Sequence, residues 1–251
     1  MKLLSLARDL QRRKARERHH LFVAEGVRAA EELLRSPLAI RGALASPALA
    51  VSPRGAALRD ALHARAVPVQ ELTDRELADA ADTESPQGVL VIAAIPRRRL
   101  EPPAAPRARV LLLDALQDPG NVGTILRTAA AFGVELTLAL PGTVDLWNAK
   151  VVRSAMGALF HRPVMGTTWE EADAFLAAGG FELWGADGAG TPLPAREVPA
   201  RLALAVGNEG SGLTDAARAR VARRVAIPIA PDVESLNVAV ATGILLYELR
   251  P

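Results

Sequence analysis

Three short polar segments contain the residues that could form a ligand site. They cover residues 118–127, 206–213 and 227–241, and each stands where an apolar run gives way to Gly, Pro and polar residues. Ligands of α/β proteins bind at such junctions, outside the carboxyl ends of the strands. The pattern therefore predicts one site that is assembled from three distant loops.

The second segment places glycines around a carboxylate, Glu209. Glycines that follow a strand let a ligand approach the backbone and leave amide groups to bind it. The order G-x-x-G-x-G differs from the dinucleotide-binding fingerprint, and Glu209 would repel a pyrophosphate. The segment favours a cationic ligand or ribose hydroxyls over a nicotinamide dinucleotide, and an ordinary Gly-rich turn is the alternative.

The other two segments carry polar residues that helix capping could also explain. Ser235 is a candidate cap for the closing helix, and Asn237 in its first turn needs hydrogen-bond partners. Asn121 is a candidate cap for the helix that carries Arg127. An arginine there either extends to solvent or pairs with a carboxylate, whereas in a cleft it holds a phosphate through its planar fork. Each residue alone leaves both interpretations open.

Alternating strands and helices in the C-terminal half predict a parallel sheet with helices on both faces, an α/β fold. The predicted strands are residues 110–113, 134–140, 181–184, 202–206 and 224–229. The predicted helices are residues 121–132, 149–160, 169–178, 215–222 and 236–249.

The alternating helices and strands of the N-terminal half predict a small α/β domain. Because this half contains no cluster of catalytic residue types, we expect it to bind a ligand rather than to catalyse a reaction. Its predicted helices are residues 28–34 and 54–64. Its predicted strands are residues 21–23, 40–44, 68–70 and 89–93. A stretch with four prolines and no hydrophobic period separates the halves and predicts an extended linker. The domain plan is thus residues 1–95, a Pro/Arg-rich linker at 96–109, and residues 110–251.

Composition excludes several classes of function. The 251 residues include no cysteine, so disulfides, thiolate metal sites and a cysteine nucleophile are excluded. The four histidines lack metal-ligand spacing, and neither a G-x-S-x-G elbow nor a P-loop occurs. No apolar run reaches the roughly 18 to 20 residues that span a bilayer. We expect a soluble cytoplasmic protein that binds no metal.

Basic residues concentrate near the N-terminus. Residues 8–20 hold six Arg or Lys against two acids, a local charge of +4, while the whole chain carries only +2. Such a segment is either a phosphate-binding helix or a solvated helix face. The candidate RNA-binding residues are Arg12, Arg13, Arg16 and Arg18.

The three polar segments, in this order, resemble the signature motifs of the SpoU (TrmH-type) RNA ribose 2′-O-methyltransferases. The corresponding residues are 121–127, 207–210 and 227–238, and the likeness extends to residues 153–160. The resemblance implies a SPOUT-type parallel sheet with a C-terminal trefoil knot. It also implies a preceding L30e-like substrate-binding domain, whose entry motif is similar to residues 22–26.

The resemblance implies an S-adenosylmethionine-dependent RNA methyltransferase that acts as a homodimer without a metal. The implied product is a 2′-O-methylated ribose, with 23S rRNA as the expected substrate. A tRNA 2′-O-methyltransferase and a non-catalytic RNA- or ribosome-binding protein of the same fold are the alternatives. RNA contact is thereby favoured for the basic segment.

Residue roles also follow from the resemblance. Arg127 corresponds to the catalytic arginine and would orient the phosphate that takes the proton, because guanidinium groups stay protonated in proteins. Residues implied to position the ribose and Arg127 are Asn121, Glu209, Ser235 and Asn237. Residues implied to hold the cofactor are Gly207, Asn208, Gly210, Ile227, Ile229 and Leu236. Pro231 stands where the family often has glycine and stiffens that loop.

Overall fold

The computed structural model describes residues 2–193 and 198–250, and the chain divides into two compact units. Unit 1 consists of Met1–Arg97 and Trp147–His161, and unit 2 of Arg98–Leu146 and Arg162–Pro251. The sequence had suggested one continuous C-terminal domain. The structure instead groups Trp147–His161 with the N-terminal unit.

Unit 1 contains a four-stranded mixed sheet. Its strands are β1 (Leu21–Glu25), β2 (Ile40–Ala45), β3 (Val69–Glu71) and β4 (Val89–Ala94), in the order β1-β4-β2-β3. Only β2 and β3 are parallel. The helices are α1 (Leu3–Asp9), α2 (Arg13–His19), α3 (Val27–Arg35), α4 (Pro53–Ala64) and α5 (Asp74–Ala78). The four predicted strands and both predicted helices of this half are confirmed.

The basic segment forms two helices rather than one, since the chain turns between α1 and α2. Arg16 causes part of this turn: its Nη1 donates to the carbonyl of Leu10 at 2.7 Å and to that of Gln11 at 2.8 Å. Arg16 is only 5% exposed as a result. Its prediction as a surface RNA contact is therefore wrong, because the guanidinium satisfies buried carbonyls.

Residues 149–160 also form two short helices in place of the predicted single one, α7 (Ala149–Ser154) and α8 (Ala158–His161). The break lies at Met156 and Gly157, whose φ angles are +52° and +92°. A Cβ on Gly157 would approach Cγ of Glu32 to 2.6 Å, so this position requires glycine.

Aromatic packing holds the Trp147–His161 segment in unit 1. The ring of Phe22 on β1 lies 4.5 Å from that of Trp147 and 5.6 Å from that of Phe160, measured between centroids. All three residues are buried. Buried aromatic rings contribute strongly to a core, so this segment belongs to the core of unit 1.

Unit 2 contains a six-stranded sheet in which every neighbouring pair is parallel. The strands are β5 (Ala108–Leu113), β6 (Leu136–Ala139), β7 (Val164–Gly166), β8 (Glu182–Pro192), β9 (Arg201–Val206) and β10 (Arg223–Ala226). Their order is β10-β8-β9-β5-β6-β7, with β5 and β9 at the centre. The predicted parallel α/β sheet is confirmed.

Helices complete unit 2: α6 (Pro119–Ala131), α9 (Trp169–Gly179), α10 (Asp215–Arg218) and α11 (Val238–Glu248). Helices α6 and α11 pack together, and the rings of Phe132 and Tyr247 meet edge to face at 5.8 Å. The buried Arg109 of β5 donates to the carbonyls of Leu249 and, at 2.9 Å, Ala200. Burial lowers the pKa of Arg109. This arginine fixes the end of α11 to the sheet.

The proline-rich stretch forms neither a helix nor a strand, and Arg201 holds part of it in place. The guanidinium of Arg201 donates to the carbonyl of Pro103 at 2.9 Å and to that of Ala105. Leu100 packs against the core cluster of the same unit. Residues 108 and 109, at the end of the predicted linker, already belong to β5.

Candidate active site

The sheet topology places the first two polar segments side by side. From β5 the chain proceeds through β6 to β7 on one side, whereas β9, β8 and β10 lie on the other. The order of strands therefore reverses between β5 and β9, and such a switch point creates a crevice outside the carboxyl ends of the strands. Residues 118–127 follow β5 and residues 206–213 follow β9.

Two hydrogen bonds join all three polar segments. The side-chain amide of Asn121 donates to Oε1 of Glu209 at 2.9 Å. The amide of Asn237 donates to Oδ1 of Asn121 at 3.0 Å. We call Asn121, Glu209 and Asn237 the polar triad. Because each member comes from a different segment, its geometry depends on the whole tertiary fold.

The caps of α6 and α11 differ from those predicted. Asp118 caps α6, because its carboxylate accepts from the backbone N–H of Asn121 at 2.7 Å. Asn237 caps α11, with Oδ1 accepting from the N–H of Ala239 at 2.9 Å. The capping predictions for Asn121 and Ser235 are therefore wrong. Asn121 is thus released for the polar triad, while Asn237 both caps a helix and donates within the triad.

Asn208 organises the glycine loop after β9. Its backbone exchanges two hydrogen bonds of 2.9 Å with Gly212, which closes the loop. Its side-chain oxygen accepts from the N–H groups of Gly210 and Ser211, and its amide donates to the carbonyl of Ala115 at 3.1 Å. Ala115 has a φ of +56°, an unfavourable angle for a residue with a Cβ. Asn208 therefore stabilises both loops.

Glycine is required at Gly207 for steric reasons. A Cβ there would lie 2.3 Å from the carbonyl carbon of Gly212. At Gly210 a Cβ would meet only the side-chain oxygen of Asn208, at 3.7 Å. The first glycine thus shapes the loop, whereas the second tolerates a side chain sterically.

The loops surround a cavity of about 430 Å³ in unit 2, here called the unit 2 cavity. Its lining includes every residue predicted to hold a cofactor: Gly207, Asn208, Gly210, Ile227, Ile229 and Leu236. Glu209 and Ser235 line it as well. Asn121 and Asn237 are connected to it by the hydrogen bonds of the triad.

Sequence reasoning missed the contribution of β8. Ala186, Asp187 and Gly188 line the unit 2 cavity, and Asp187 accepts from Arg224 at 3.3 Å and from the N–H of Ala189 at 3.0 Å. The available signal was the polar stretch that follows the apolar strand at residues 181–184. With Glu209 and Glu234, Asp187 brings three carboxylates to the wall. This supports the interpretation that the site suits a cationic ligand.

A buried carboxylate that the sequence did not single out anchors the end of the glycine loop. Asp114 follows β5 and is completely buried. It accepts from the N–H of Thr214 at 2.7 Å and from its hydroxyl at 3.1 Å. These donors satisfy both oxygens of the side chain, so Asp114 fixes the loop without leaving a buried polar group unpaired.

Arg127 lies six residues after Asn121 on α6 and is exposed. Among residues 2–193 and 198–250, no hydrogen bond or ion pair involves its side chain. The structure therefore does not include Arg127 in the polar triad. Its guanidinium faces solvent on the helix that carries Asn121.

The remaining RNA-binding candidates are exposed but paired with acids. Arg12 and Arg18 both contact Asp9, the latter at 2.6 Å, and Arg13 contacts Glu17 at 2.8 Å. The hydrogen bond from Arg12, with Coulombic attraction from Arg12 and Arg18, lowers the pKa of Asp9. Asp9 therefore stays ionised at neutral pH and offsets part of the local positive charge.

The described part of the chain offers neither a metal-binding cluster nor a membrane-spanning helix. No three His, Asp or Glu side chains there come close enough together to hold a metal ion. No helix among the described residues has the length and apolarity needed to cross a membrane.

Comparison with known proteins connects this geometry to a family. The SpoU rRNA Methylase family profile matches residues 108–247, and that of the MRM3-like substrate binding domain matches residues 5–91. The chain is 34% identical over 248 residues to the 23S rRNA (guanosine(2553)-2′-O)-methyltransferase RlmP of Bacillus subtilis, covering 97% of this chain and 94% of the relative.

Solved structures agree over nearly the full length. An AdoMet-bound rRNA methyltransferase from Sinorhizobium meliloti superposes with a TM-score of 0.83 at 27% identity, covering 98% of this chain and 93% of the other. The SpoU methyltransferase AviRb from Streptomyces viridochromogenes, in complex with AdoMet, gives 0.85 at 26% identity, covering 99% and 97%. The chain belongs to the SpoU rRNA methylase family, with an N-terminal substrate-binding domain.

Proposed function

We propose that this protein transfers a methyl group from S-adenosylmethionine to a ribose 2′-hydroxyl of 23S rRNA. The observation that carries the proposal is the polar triad beside a cavity that its own glycine loop helps to line. The relative RlmP is named for this reaction on 23S rRNA, and both superposed structures are of methyltransferases with bound AdoMet.

The residues of the unit 2 cavity fit S-adenosylmethionine. The cofactor has a positive sulfonium and a positive amino group, and Asp187, Glu209 and Glu234 place negative charge on the wall. Ile227 and Leu236 add apolar surface for the adenine and the carbon chain. When bound, the cofactor supplies a methyl group that is already strongly electrophilic, so we propose that the reaction needs no metal.

The protein would act mainly by alignment. The ribose oxygen forms a bond to the methyl carbon, the carbon–sulfur bond breaks, and the hydroxyl proton must leave. Arg127 stays protonated and would orient the neighbouring phosphate, which takes this proton. The polar triad and Ser235 would hold the ribose in line with the methyl group, and correct alignment lowers the barrier substantially.

Substitution of Arg127 tests the mechanism. We expect Arg127→Ala to lower kcat about 100-fold or more, since misplacing a reacting group costs about this factor. Arg127→Lys should recover little activity, because it restores the charge without the planar fork. Cofactor affinity should stay unchanged in both variants, as measured by calorimetry. An unaltered turnover rate in Arg127→Ala would remove the arginine from the mechanism.

We further propose that an L30e-like RNA-binding domain is formed by residues 1–95. Exposed Arg12, Arg13 and Arg18 support RNA contact there. Replacing all three with Gln should weaken rRNA binding and reduce its salt dependence, while kcat at saturating RNA is retained. A triple variant with unchanged affinity would refute this role. The similarity to a bacterial rRNA methyltransferase supports a cytoplasmic location.

We propose a homodimer formed through α11. Val240, Ile244 and Tyr247 lie along one face of this helix and are 52%, 38% and 50% exposed. An exposed apolar stripe on an otherwise apolar helix is typical of a subunit interface. Sedimentation should give twice the chain mass of 26.5 kDa, and the Ile244→Glu variant should sediment with the mass of a single chain. A monomeric parent protein would contradict the proposal.

We propose a trefoil knot between β9 and α11. The edge strand β10 is the last strand before α11, which packs on the helix that follows the central strand β5. The chain therefore returns from the edge of the sheet to its centre, as a knotted path requires. Pulling the unfolded chain from both ends should leave it shorter than its full extended length of about 3.4 Å per residue. Reaching that full length would show that the chain is unknotted.

A further inference from the structure

Unit 1 contains a second cavity, of about 440 Å³, which we call the unit 1 cavity. It is formed by the start of α3, the turn before β4 and the break between α7 and α8. Its lining includes Arg28, Glu84, Ser85, Gln87, Arg153 and Met156. The volume falls within the range of small-ligand pockets.

The walls of this cavity offer both hydrogen-bond donors and acceptors. Arg28 is exposed on α3, and Arg153 forms an ion pair with Asp82 at 2.8 Å. The side-chain oxygen of Gln87 accepts from the N–H of Val27 at 3.0 Å, which leaves its amide group to donate. Glu84 adds an exposed carboxylate acceptor.

The cavity also has an apolar surface at a conformationally unusual position. Met156 has a φ of +52°, an angle that residues with a Cβ rarely adopt. Its N–H donates to the carbonyl of Arg153 at 3.2 Å, and the rings of Phe160 and Phe22 anchor the following helix. Backbone outliers of this kind cluster at ligand sites. A thioether also packs favourably against aromatic rings.

The turn before β4 is held in place by Glu25. Its carboxylate accepts from the hydroxyl of Thr83 and from the N–H of Asp82 at 2.8 Å. The donors, the acceptors and the apolar surface thus stand on fixed backbone. A site fixed in this way loses little conformational entropy when it binds a ligand.

We propose that the unit 1 cavity binds one unpaired nucleotide of the RNA substrate, an inference that rests on the proposed function. Arg28 would contact the phosphate, Glu84 and Gln87 the base edge, and Met156 the base face. Proteins read RNA mostly through unpaired bases that are stacked and hydrogen-bonded along their edges. The matched substrate-binding domain contributes Arg28 and Glu84, and the matched methylase region contributes Arg153 and Met156.

A matched pair of arginine variants tests the phosphate contact. Arg28→Gln removes the cavity arginine, and Arg35→Gln removes an exposed arginine of the same helix that pairs with Glu32 outside the cavity. Affinity for an unmodified 23S rRNA transcript is measured with the full chain at several salt concentrations. We expect Arg28→Gln to weaken binding about tenfold and to reduce the salt slope by about 0.7, unlike Arg35→Gln.

The absence of cysteine permits a second test that leaves the charges unchanged. Ser85→Cys places a unique thiol in the cavity, and Ala57→Cys places one on the exposed side of α4. Alkylation with N-ethylmaleimide should weaken rRNA binding about tenfold only for Ser85→Cys, with an unchanged salt slope. S-adenosylmethionine affinity should not change in either variant.

The outcomes separate this inference from the proposed function. If Arg28→Gln and alkylated Ser85→Cys bind rRNA like their controls while the parent protein methylates it, the nucleotide site is wrong. If the parent protein binds rRNA with the predicted dependence on the cavity but transfers no methyl group, the proposed reaction is wrong instead. Failure of the parent protein to bind rRNA would overturn both.

Discussion

The two cavities have nearly the same volume, about 430 and 440 Å³, but are built differently. Glycine backbone and short loops that follow parallel strands form much of the unit 2 cavity. Charged and polar side chains on a helix start, a turn and a helix break surround the unit 1 cavity. The first is therefore suited to a small cofactor held close to the backbone, the second to a ligand read by side chains.

This difference determines which cavity could be found in the sequence. A backbone-lined site needs glycines and caps at defined positions, and these produce short contiguous motifs. A side-chain-lined site needs only that suitable residues meet in space. Arg28 and Arg153 are 125 positions apart, and no local pattern connects them.

The largest expected effect tests whether the Trp147–His161 segment supports unit 1. Trp147→Ala should lower the free energy of unfolding by about 3–5 kcal/mol, since it removes a buried ring that contacts Phe22. Urea unfolding measures this loss. Trp169→Ala, at a half-buried position of unit 2, is the control and should cost less. Equal losses of unfolding free energy in the two variants would mean that the buried Trp147 stabilises the protein no more than the half-buried Trp169 does.

The second prediction tests the backbone-lined character of the unit 2 cavity. Gly207→Ala should destabilise the protein without ligand and abolish cofactor binding, because the new methyl group would overlap the backbone of Gly212. Gly210→Ala should leave the stability unchanged, since its methyl group meets only one atom at 3.7 Å. Thermal unfolding and calorimetry provide the two readouts. Similar stability losses would contradict the assigned role of Gly207.

The third prediction separates the two functions of Asn237. Asn237→Ala should cost about 1 kcal/mol of stability through the lost cap and should also impair methyl transfer. Asn237→Ser should restore the cap but not the donation to Asn121, so it should be stable and still impaired. Asn121→Ala should match the activity loss without the stability loss, because Asp118 caps α6. Full activity in Asn237→Ser would exclude the polar triad from catalysis.

The smallest expected effect concerns the basic helices of unit 1. Asp9→Asn releases Arg12 and Arg18 and should tighten rRNA binding by up to about fivefold, with a steeper salt dependence. The pKa of Asp9 is lowered in the folded protein, so its stabilising contribution is present at neutral pH and is lost only as the pH falls through that lowered value. Weaker binding by Asp9→Asn would show that these arginines do not contact RNA.

Much of the fold was predictable because its signals are local. The apolar runs of β5 and β9, the four strands of unit 1 and most helices follow from hydrophobic period and length. The break at Met156 and Gly157 was missed, since helical periodicity continues across it and does not reveal the positive φ angles of these two residues.

The candidate site was predictable in its loops but not in its hydrogen bonds. The motifs identified Asn121, Glu209 and Asn237. They did not show which residue caps each helix, because several neighbouring polar residues suit a cap and the backbone angles decide between them. Asp114 follows β5, and Asp187 lies in the polar second half of β8. Both were missed because each looks like an ordinary polar residue after an apolar run. Arg16 was misassigned because charge alone does not reveal burial against carbonyls.

The central claim is methylation of a ribose 2′-hydroxyl in 23S rRNA. The most direct measurement incubates the full-length protein with labelled S-adenosylmethionine and unmodified 23S rRNA, then identifies the labelled nucleoside by mass spectrometry. The proposed function predicts label in a single 2′-O-methylnucleoside, incorporated about 100-fold more slowly or less with Arg127→Ala. Label in a base, or no transfer to 23S rRNA alongside transfer to tRNA, would contradict it.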